Sequence, residues 1–385
     1  MRLAILLALI FNIVFIRITI LEANDRFPAI KPNCTGMLPV DELHQIYWEE
    51  SGNPQGVPVI FLHGGPGVGT EDSHRTFFDP NFYRIILFDQ RGCGKSLPYG
   101  SLVNNTTWDL VEDIHKLREF LSIDRCLLFG GSWGSTLALA YSIKYPENVL
   151  GLILRGIFLS RQQELDWFYK DGANHLSPQA WQIFIDGIPI EKQDDLIAIY
   201  HDKLHSTSYW TQMNAAASWV LWEFANLHSI PDSRLTSLLN SNFLFYAFAI
   251  LYSNQNGVQA KIENHYFLHK CFFETDNWIM ENIDKIQHIP GFIIQGQSDQ
   301  ICPCENAEEL HHNWPASTFH LIPNAGHASD EPGISEALIK ATEDFKTMLK
   351  ARLCTFFGPA FEREAFYSVI NFEGRGISTP FEKFI

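Results

Sequence analysis

A serine, an aspartate and a histidine of this chain could together cleave an acyl bond, and they follow one another in that order along the sequence. Ser132 is the centre of the pentapeptide GGSWG (130–134), which follows an apolar run and precedes the helix-like segment STLALAYSIKY. This context is typical of a nucleophile elbow, in which a tight strand-to-helix turn exposes the serine hydroxyl beside a helix N-terminus. A glycine-rich turn with a capping serine is the alternative interpretation of the same residues.

An acid and a base should follow the serine, because a hydroxyl is a poor nucleophile until a base removes its proton. Asp299 comes directly after the apolar run GFIIQGQS, and His327 lies in the loop PNAGHASD after the next such run. The chain order Ser, Asp, His is the one that a nucleophile elbow predicts. The neighbouring His311 and His312 lie in a helical segment, and we interpret them as surface residues.

The elements that must position these residues are short apolar runs, which alternate with helix-like segments. Runs of this kind fit strands that are buried on both faces of a parallel sheet; they cover residues 57–64, 83–90, 125–132, 149–156, 288–299 and 317–327. The fold class predicted from this alternation is α/β, with a doubly wound, mostly parallel sheet.

The predicted domain organisation interrupts this α/β core with a helical insertion. We assign residues 26–156 and 285–350 to the core and the aromatic-rich, helix-compatible residues 157–284 to an inserted cap. The last residues, 351–385, form a tail to which no role can be assigned.

Composition excludes some classes of partner. The chain has 385 residues, 46% of them apolar and 19% charged, as is usual for a globular protein. Its formal net charge of -16 argues against nucleic acid or an anionic membrane as a partner. The seven cysteines have no zinc-binding spacing, so no metal site is predicted, and a reducing compartment is the simpler interpretation.

The N-terminus leaves the location open. Residues 1–25 contain the mostly apolar run LAILLALIFNIVFI, which is interrupted by Arg17 and lacks a clean cleavage site. We expect a cytoplasmic protein; secretion through a signal peptide, membrane anchoring through this segment and a mis-assigned start remain alternatives. Contact with a membrane is expected only if the segment is an uncleaved anchor.

Several longer stretches point to one family. HGGPG (63–67), LFDQRGCGKS (87–96) and GGSWGSTLALAYS (130–142) closely resemble the proline iminopeptidase (prolyl aminopeptidase) family of α/β-hydrolases, and the likeness covers roughly residues 27–348. The resemblance implies an α/β-hydrolase fold with a helical cap. It also implies a serine exopeptidase that releases N-terminal proline from peptides through an acyl-enzyme, without metal or organic cofactor.

The resemblance also assigns the chemistry to residues. It implies that Ser132 is the nucleophile, Asp299 the orienting acid and His327 the general base. The oxyanion hole is expected from the backbone N–H groups of Gly65 and Trp133.

Substrate recognition is assigned in the same way. The resemblance implies that Glu223 and Glu263 hold the substrate amine, since a buried carboxylate is penalised when no cation pairs with it. A pocket for the proline ring is expected from Phe158, Phe267 and Tyr169. Cys302 resembles a family cysteine near the substrate, which implies sensitivity to thiol reagents without a catalytic role.

The residues around the loop HGGPG are expected to support it. We interpret His63 as a structural anchor, and Asp89, Arg91 and Cys93 as braces of the loop that do not react.

Two other functions remain compatible with the sequence. An esterase or amidase on the same scaffold would keep the triad but need neither Glu223 nor Glu263. A binding protein with a relict site is the third hypothesis, which the intact set Ser132, Asp299 and His327 disfavours. The oligomeric state and the preferred peptide length cannot be derived from the sequence.

Overall fold

A twisted, mostly parallel sheet lies at the centre of the protein. In the computed structural model, which describes residues 26–229 and 256–357, this sheet has eight strands in the order β1-β2-β4-β3-β5-β6-β7-β8. The strands are β1 Cys34–Pro39, β2 Gln45–Gly52, β3 Val57–Leu62, β4 Tyr83–Phe88, β5 Cys126–Ser132, β6 Val149–Ile157, β7 Gly291–Gly296 and β8 Ser317–Ile322. The strands from β4 to β8 in this order pair in parallel, whereas β1 and β2 pair antiparallel at one edge.

The predicted α/β class is confirmed, and each apolar run of the sequence contains one of the parallel strands. All residues of β3 and of β7 are buried, as expected for strands covered on both faces. Alternate side chains enter different cores: Ile60 and Leu128 pack on one face of the sheet, and Phe61 and Phe129 pack on the other. The edge strands β1 and β2 were not predicted.

Helices cover both faces of the sheet. Their bounds in the described residues are α1 Thr107–Phe120, α2 Trp133–Lys144, α3 Gln162–Tyr169, α4 Ala173–Leu176, α5 Pro178–Ile185, α6 Leu196–Leu204, α7 Tyr209–Asn226, α8 Asn256–Leu268, α9 Trp278–Glu281, α10 Cys304–Asn313 and α11 Ile334–Phe357. Short 3-10 turns lie at Asp72–Phe77, Pro146–Asn148, Ile190–Asp195, Lys270–Phe272 and Ile283–Ile286.

Helix α1 shows how the sequence sets an element boundary. The Thr106 hydroxyl accepts a hydrogen bond from the Asp109 N–H, and the Asp109 carboxylate accepts one from the Thr106 N–H. This capping box satisfies two N–H groups that the first helical turn cannot pair. The helix buries apolar side chains at helical spacing, including Leu110, Ile114 and Leu117.

The chain between β6 and β7 is helical over much of its described length, and we call helices α3 to α9 the cap. Helices α6, α7 and α8 pack against one another, and Ile262 of α8 lies against Gly67 of the HGGPG loop. The domain bounds at 157 and 284 stay a prediction, and residues 230–255 lie outside the described residues.

The predicted segments at the two termini lie wholly or partly outside the residues that the structure describes. The apolar segment 1–25 and residues 358–385 lie outside them, whereas residues 351–357 of the predicted tail continue helix α11. Of the helices within 26–229 and 256–357, none combines the length and the apolar character needed to cross a membrane.

Candidate active site

Ser132 lies at the junction of β5 and α2 in a conformation that non-glycine residues rarely adopt. Its φ is 58° and its ψ is -127°. The glycines on either side permit the turn, since a Cβ at Gly130 would collide with the carbonyl of Gly134, and a Cβ at Gly134 with the carbonyl of Leu62. The strand-to-helix context predicted for GGSWG is therefore present, and Ser132 lines a cavity at the end of the sheet, which we call the central cavity.

His327 and Asp299 form a buried pair at the same edge of the sheet. The Nδ1 atom of His327 lies 2.8 Å from Oδ2 of Asp299. The other carboxylate oxygen, Oδ1, accepts hydrogen bonds from the backbone N–H groups of Ile301 (3.0 Å) and Cys302 (2.8 Å). Because a carboxylate oxygen only accepts, Nδ1 carries the proton, and Nε2 of His327 is left as the basic nitrogen.

The surroundings keep the imidazole neutral and fix its position. Burial lowers the pKa of His327, and the negative charge of Asp299 opposes that shift. The N–H groups of His327 and Ala328 both donate to the carbonyl of Leu227, at 2.9 Å each, so the segment that follows α7 holds this loop. Gly156, at a φ of 57°, leaves room for the ring, because a Cβ there would lie 2.9 Å from Cε1 of His327.

The two expected oxyanion donors are available for a ligand. Among the hydrogen bonds of the described residues, neither the N–H of Gly65 nor that of Trp133 has a protein acceptor. Trp133 is the first residue of α2, whose opening N–H groups have no partner within the helix. Gly64 is a further residue close to the nucleophile: a Cβ on it would lie 3.7 Å from Cβ of Ser132.

A glutamine connects the two donor segments. The side-chain amide of Gln90 donates to the carbonyl of His63 (2.9 Å) and accepts from the Trp133 indole (3.0 Å). His63 in turn accepts the Gln90 N–H at Nε2 (3.0 Å), which makes it the anchor that the sequence suggested.

The expected braces differ in what they contact. Asp89 accepts hydrogen bonds from the N–H and hydroxyl of Thr70, both at 2.7 Å, and so fixes the end of the HGGPG loop. The thiol of Cys93 lies 3.4 Å from Nε2 of His63. Arg91 instead binds Asp113 through two nitrogens, at 2.6 and 2.8 Å, so it stabilises helix α1 and not the loop.

The central cavity has a volume of about 510 Å³. The predicted site residues that line it are Gly65, Ser132, Phe158, Tyr169, Glu223, Glu263, Phe267, Cys302 and His327. Asp299 and Trp133 are buried behind this surface, with 7% and 0% of their area exposed. The structure thus brings residues from both strand ends and cap helices into one chamber.

Two carboxyl groups face each other on the cap side of the cavity. Glu223 of α7 and Glu263 of α8 line this side together, and each affects the pKa of the other. Glu263 also accepts from the Trp219 indole (2.8 Å) and the Gln259 amide (2.9 Å), and Glu223 accepts from the Tyr169 hydroxyl (3.0 Å). Burial raises the pKa of both, and the charge of Glu223 raises that of Glu263 further. Two acids in this arrangement share a proton.

Aromatic rings enclose the space beside this pair. The rings of Phe158 and Phe267 meet edge to face with centroids 5.9 Å apart, and Tyr169 lies 5.7 Å from Phe267. Cys302 lines the same cavity as Ser132, and burial raises the pKa of its thiol well above the ordinary value. Cys302 therefore stays a neutral thiol next to the nucleophile.

The described residues contain no group of three or more histidine, cysteine or acidic side chains placed to hold a metal ion.

Comparison with known proteins shows the family to which the chain belongs. A family model described as the alpha/beta hydrolase fold matches residues 57–188. A probable proline iminopeptidase of Leptolyngbya boryana is 50% identical over 319 residues, which cover 83% of this chain and 96% of that protein. Proline iminopeptidases of Arabidopsis thaliana and Neisseria gonorrhoeae are 47% and 44% identical, over 86% and 82% of this chain and 84% and 96% of theirs. The chain belongs to the proline iminopeptidase family.

Solved structures of other proteins align with this member of the proline iminopeptidase family and show the same α/β-hydrolase fold. A hydrolase from Pseudomonas aeruginosa PA01 aligns with a TM-score of 0.55 at 16% identity, over 82% of this chain and 99% of its own. The proline iminopeptidase of Mycobacterium smegmatis aligns with a TM-score of 0.50 at 16% identity, over 82% and 98%. At these identities the likeness shows the fold alone.

Sequence reasoning missed several residues of this proline iminopeptidase site. Gln295 donates from its amide to Asp299 (3.1 Å) and to the carbonyl of Cys302 (2.9 Å). Gln90, Gly64 and Gly156 were not singled out either. A glutamine within the otherwise apolar run GFIIQG was the available signal for Gln295, because a buried amide needs partners.

Proposed function

We propose that this chain is a serine exopeptidase that releases proline from the N-terminus of peptides. The observation that carries the proposal is the presence of two carboxyl groups, Glu223 and Glu263, in the cavity that Ser132 and His327 also line. Its relatives' names support the same activity.

Acylation uses groups of this chain alone. Nε2 of His327 takes the proton of the Ser132 hydroxyl while Oγ attacks the carbonyl carbon of the N-terminal proline. The N–H groups of Gly65 and Trp133 stabilise the resulting oxyanion, each by about 3 kcal/mol in comparable enzymes. The imidazolium then gives its proton to the leaving nitrogen, the C–N bond breaks, and proline remains as an ester of Ser132.

Deacylation repeats these steps with water. His327 removes a proton from water, the hydroxide attacks the ester carbonyl, and the imidazolium returns the proton to Oγ. Free proline leaves, and Asp299 stabilises the imidazolium in both halves of the reaction.

Selection of a free N-terminus follows from the carboxyl pair. In the empty cavity the two acids share a proton, and a substrate ammonium that donates to both displaces it. A blocked proline has a neutral nitrogen, so the pair would face a ligand without compensating charge. The aromatic groups of Phe158, Tyr169 and Phe267 pack on the pyrrolidine ring.

The experiment compares proline, alanine and N-acetylproline p-nitroanilides with the wild type, Ser132→Ala and the control Ser73→Ala, a serine outside the cavity. We expect the wild type to hydrolyse the proline anilide best and the blocked one negligibly. Ser132→Ala should lose roughly 10⁴-fold or more in kcat, and Ser73→Ala should resemble the wild type.

Each contradiction has a distinct meaning. Equal rates on free and blocked proline would favour the esterase or amidase alternative. Activity that survives in Ser132→Ala would refute the mechanism. A fluorophosphonate that labels the wild type but not Ser132→Ala, read by intact mass, checks the nucleophile independently.

A further inference from the structure

The central cavity continues to the face of the sheet opposite the proposed proline pocket. Phe158, Tyr169 and Phe267 pack into the core on one face. Phe61 and Phe129, which line the same cavity, pack into the core on the other face. We call this second region, lined by Phe61, His74, Phe77, Phe129 and Arg155, the distal wall.

Arg155 brings a positive charge to the distal wall beside the nucleophile. Its guanidinium lies directly over Gly131, since a Cβ on that glycine would be 2.5 to 2.8 Å from guanidinium atoms. Consecutive Cα atoms are about 3.8 Å apart, so the charge lies within one or two residue lengths of Ser132.

This arginine has no carboxylate partner among the described residues. Its Nη1 donates to the carbonyl of His327 (2.7 Å), and its Nε has no hydrogen-bond partner there. Two buried arginines elsewhere in the protein differ in this respect, since Arg75 pairs with Glu49 at 2.6 Å and Arg91 with Asp113 at 2.6 Å. Burial lowers the pKa of Arg155, the expected result for a cation removed from water without a counter-ion.

The nearest acids are already engaged. Asp299 is hydrogen-bonded to His327, and Asp330 lies 3.3 Å from Nε2 of His228. Glu71 also lines the cavity, but its side chain takes part in the capping box at Asp72–Phe77. The guanidinium therefore remains free to bind an anion from the cavity, and it offers parallel N–H donors that match a carboxylate.

We propose that Arg155 binds the C-terminal carboxylate of the amino acid that follows proline, so that dipeptides with N-terminal proline are the preferred substrates. The inference rests on the proposed function, because it takes the distal wall as the side of the leaving group. In a dipeptide that carboxylate is one residue away from the scissile carbonyl, which agrees with a guanidinium over the residue next to Ser132. The carboxyl pair then binds the ammonium group of one small substrate, and Arg155 binds its carboxylate.

The test measures kcat/KM for Pro-Phe and for Pro-Phe-amide by the release of free proline. Phenylalanine suits the aromatic distal wall, and the amide removes only the carboxylate charge. We expect the wild type to prefer the acid by about tenfold or more, as for a charge-assisted hydrogen bond. Arg155→Gln should abolish this preference, whereas Arg84→Gln, which removes a guanidinium paired with Glu50, should keep it.

The outcomes separate the inference from the proposed function. Equal wild-type rates on acid and amide would overturn the inference alone, whereas no proline from either peptide would overturn the proposed function. Equal losses on both peptides in Arg155→Gln, with the preference intact, would mean that Arg155 only positions the His327 loop, and would also overturn it.

A second measurement needs no variant. Phenylalanine should inhibit wild-type hydrolysis of proline p-nitroanilide about tenfold more strongly than phenylalaninamide does. Equal inhibition by the two would contradict carboxylate binding.

Discussion

The position of His327 depends on a residue without a side chain. Gly156 has a φ of 57°, and a Cβ there would press on Cε1 and Nδ1 of the imidazole at 2.9 and 3.0 Å. Gly187 is a matched control, because its φ is 68° and a Cβ there would meet nothing within 4 Å. We expect both alanine variants to lose about 1–2 kcal/mol of stability from the left-handed backbone, and only Gly156→Ala to lose kcat, by about tenfold or more if the ring shifts by 1 Å. Equal kcat in the two variants, measured with proline p-nitroanilide beside thermal unfolding, would contradict this.

Cys302 lies close to the proposed nucleophile, but we expect it to take no part in the reaction. Its side chain lines the same cavity as Ser132, and burial raises the pKa of its thiol, so it reacts slowly as a nucleophile. We expect Cys302→Ala to keep kcat within about tenfold and to resist inactivation by a thiol reagent that inactivates the wild type. The half-exposed neighbour Cys304 is the control, and Cys304→Ala should remain sensitive. Inactivation of Cys302→Ala at the wild-type rate would place the sensitive thiol elsewhere.

At the residue scale, the sequence indicated the proposed catalytic residues more readily than the residues that support them. Ser132, Asp299 and His327 could be proposed because motif and chain order suffice to select them. The supporting contacts of Gln90 and Gln295 are long-range hydrogen bonds, which no local pattern encodes. Their positions became clear only once the strands were placed side by side.

Among the elements, the segment that follows cap helix α7 holds the loop that contains the proposed base. The Leu227 carbonyl binds the N–H groups of His327 and Ala328, and the Ser229 N–H and hydroxyl donate to the Glu331 carboxylate. We expect Glu331→Ala to lower kcat by about tenfold, since a misplaced base costs more in rate than in binding. Glu336→Ala, in the exposed first turn of α11, should leave kcat unchanged. Circular dichroism would verify that both variants fold, and a wild-type kcat in Glu331→Ala would contradict the role.

The elements that the sequence failed to predict are the antiparallel strands β1 and β2. Strand β2 contains Glu49 and Glu50, which are unusual in a buried strand. They are tolerated because Arg75 and Arg84 pair with them at 2.6 Å each. These arginines lie elsewhere in the chain. The local sequence of β2 is therefore polar and does not indicate a buried strand. The parallel strands were predictable because strands that are buried on both faces have continuous apolar runs in the sequence.

For the whole molecule, the protonation of two regions sets the pH dependence. Burial lowers the pKa of His327, so the base becomes neutral at a lower pH than an ordinary histidine does. Burial raises the pKa of Glu223 and Glu263, so the empty cavity keeps its shared proton to higher pH. In the complex the ammonium has displaced that proton, and only His327 remains to titrate.

The acid limb of kcat/KM should therefore lie at higher pH than the acid limb of kcat, because the first reports the free enzyme and the second the complex. Glu263→Gln should move the limb of kcat/KM toward that of kcat, since an isolated carboxyl loses its proton more readily than a paired one. Initial rates with proline p-nitroanilide across the pH range measure both limbs. Coincident limbs in the wild type would contradict the shared proton.

The central claim is that a pair of carboxyls selects a cationic proline for the Ser132 nucleophile. The most direct measurement compares proline p-nitroanilide with cyclopentanecarboxylic acid p-nitroanilide, which keeps the five-membered ring and lacks the amine. We predict that the wild type hydrolyses the proline compound with a kcat/KM about 10- to 150-fold higher, which corresponds to the free energy of one charge-assisted hydrogen bond. Glu223→Gln and Glu263→Gln should each reduce this ratio of kcat/KM values. Comparable hydrolysis of the two compounds by the wild type would contradict the account.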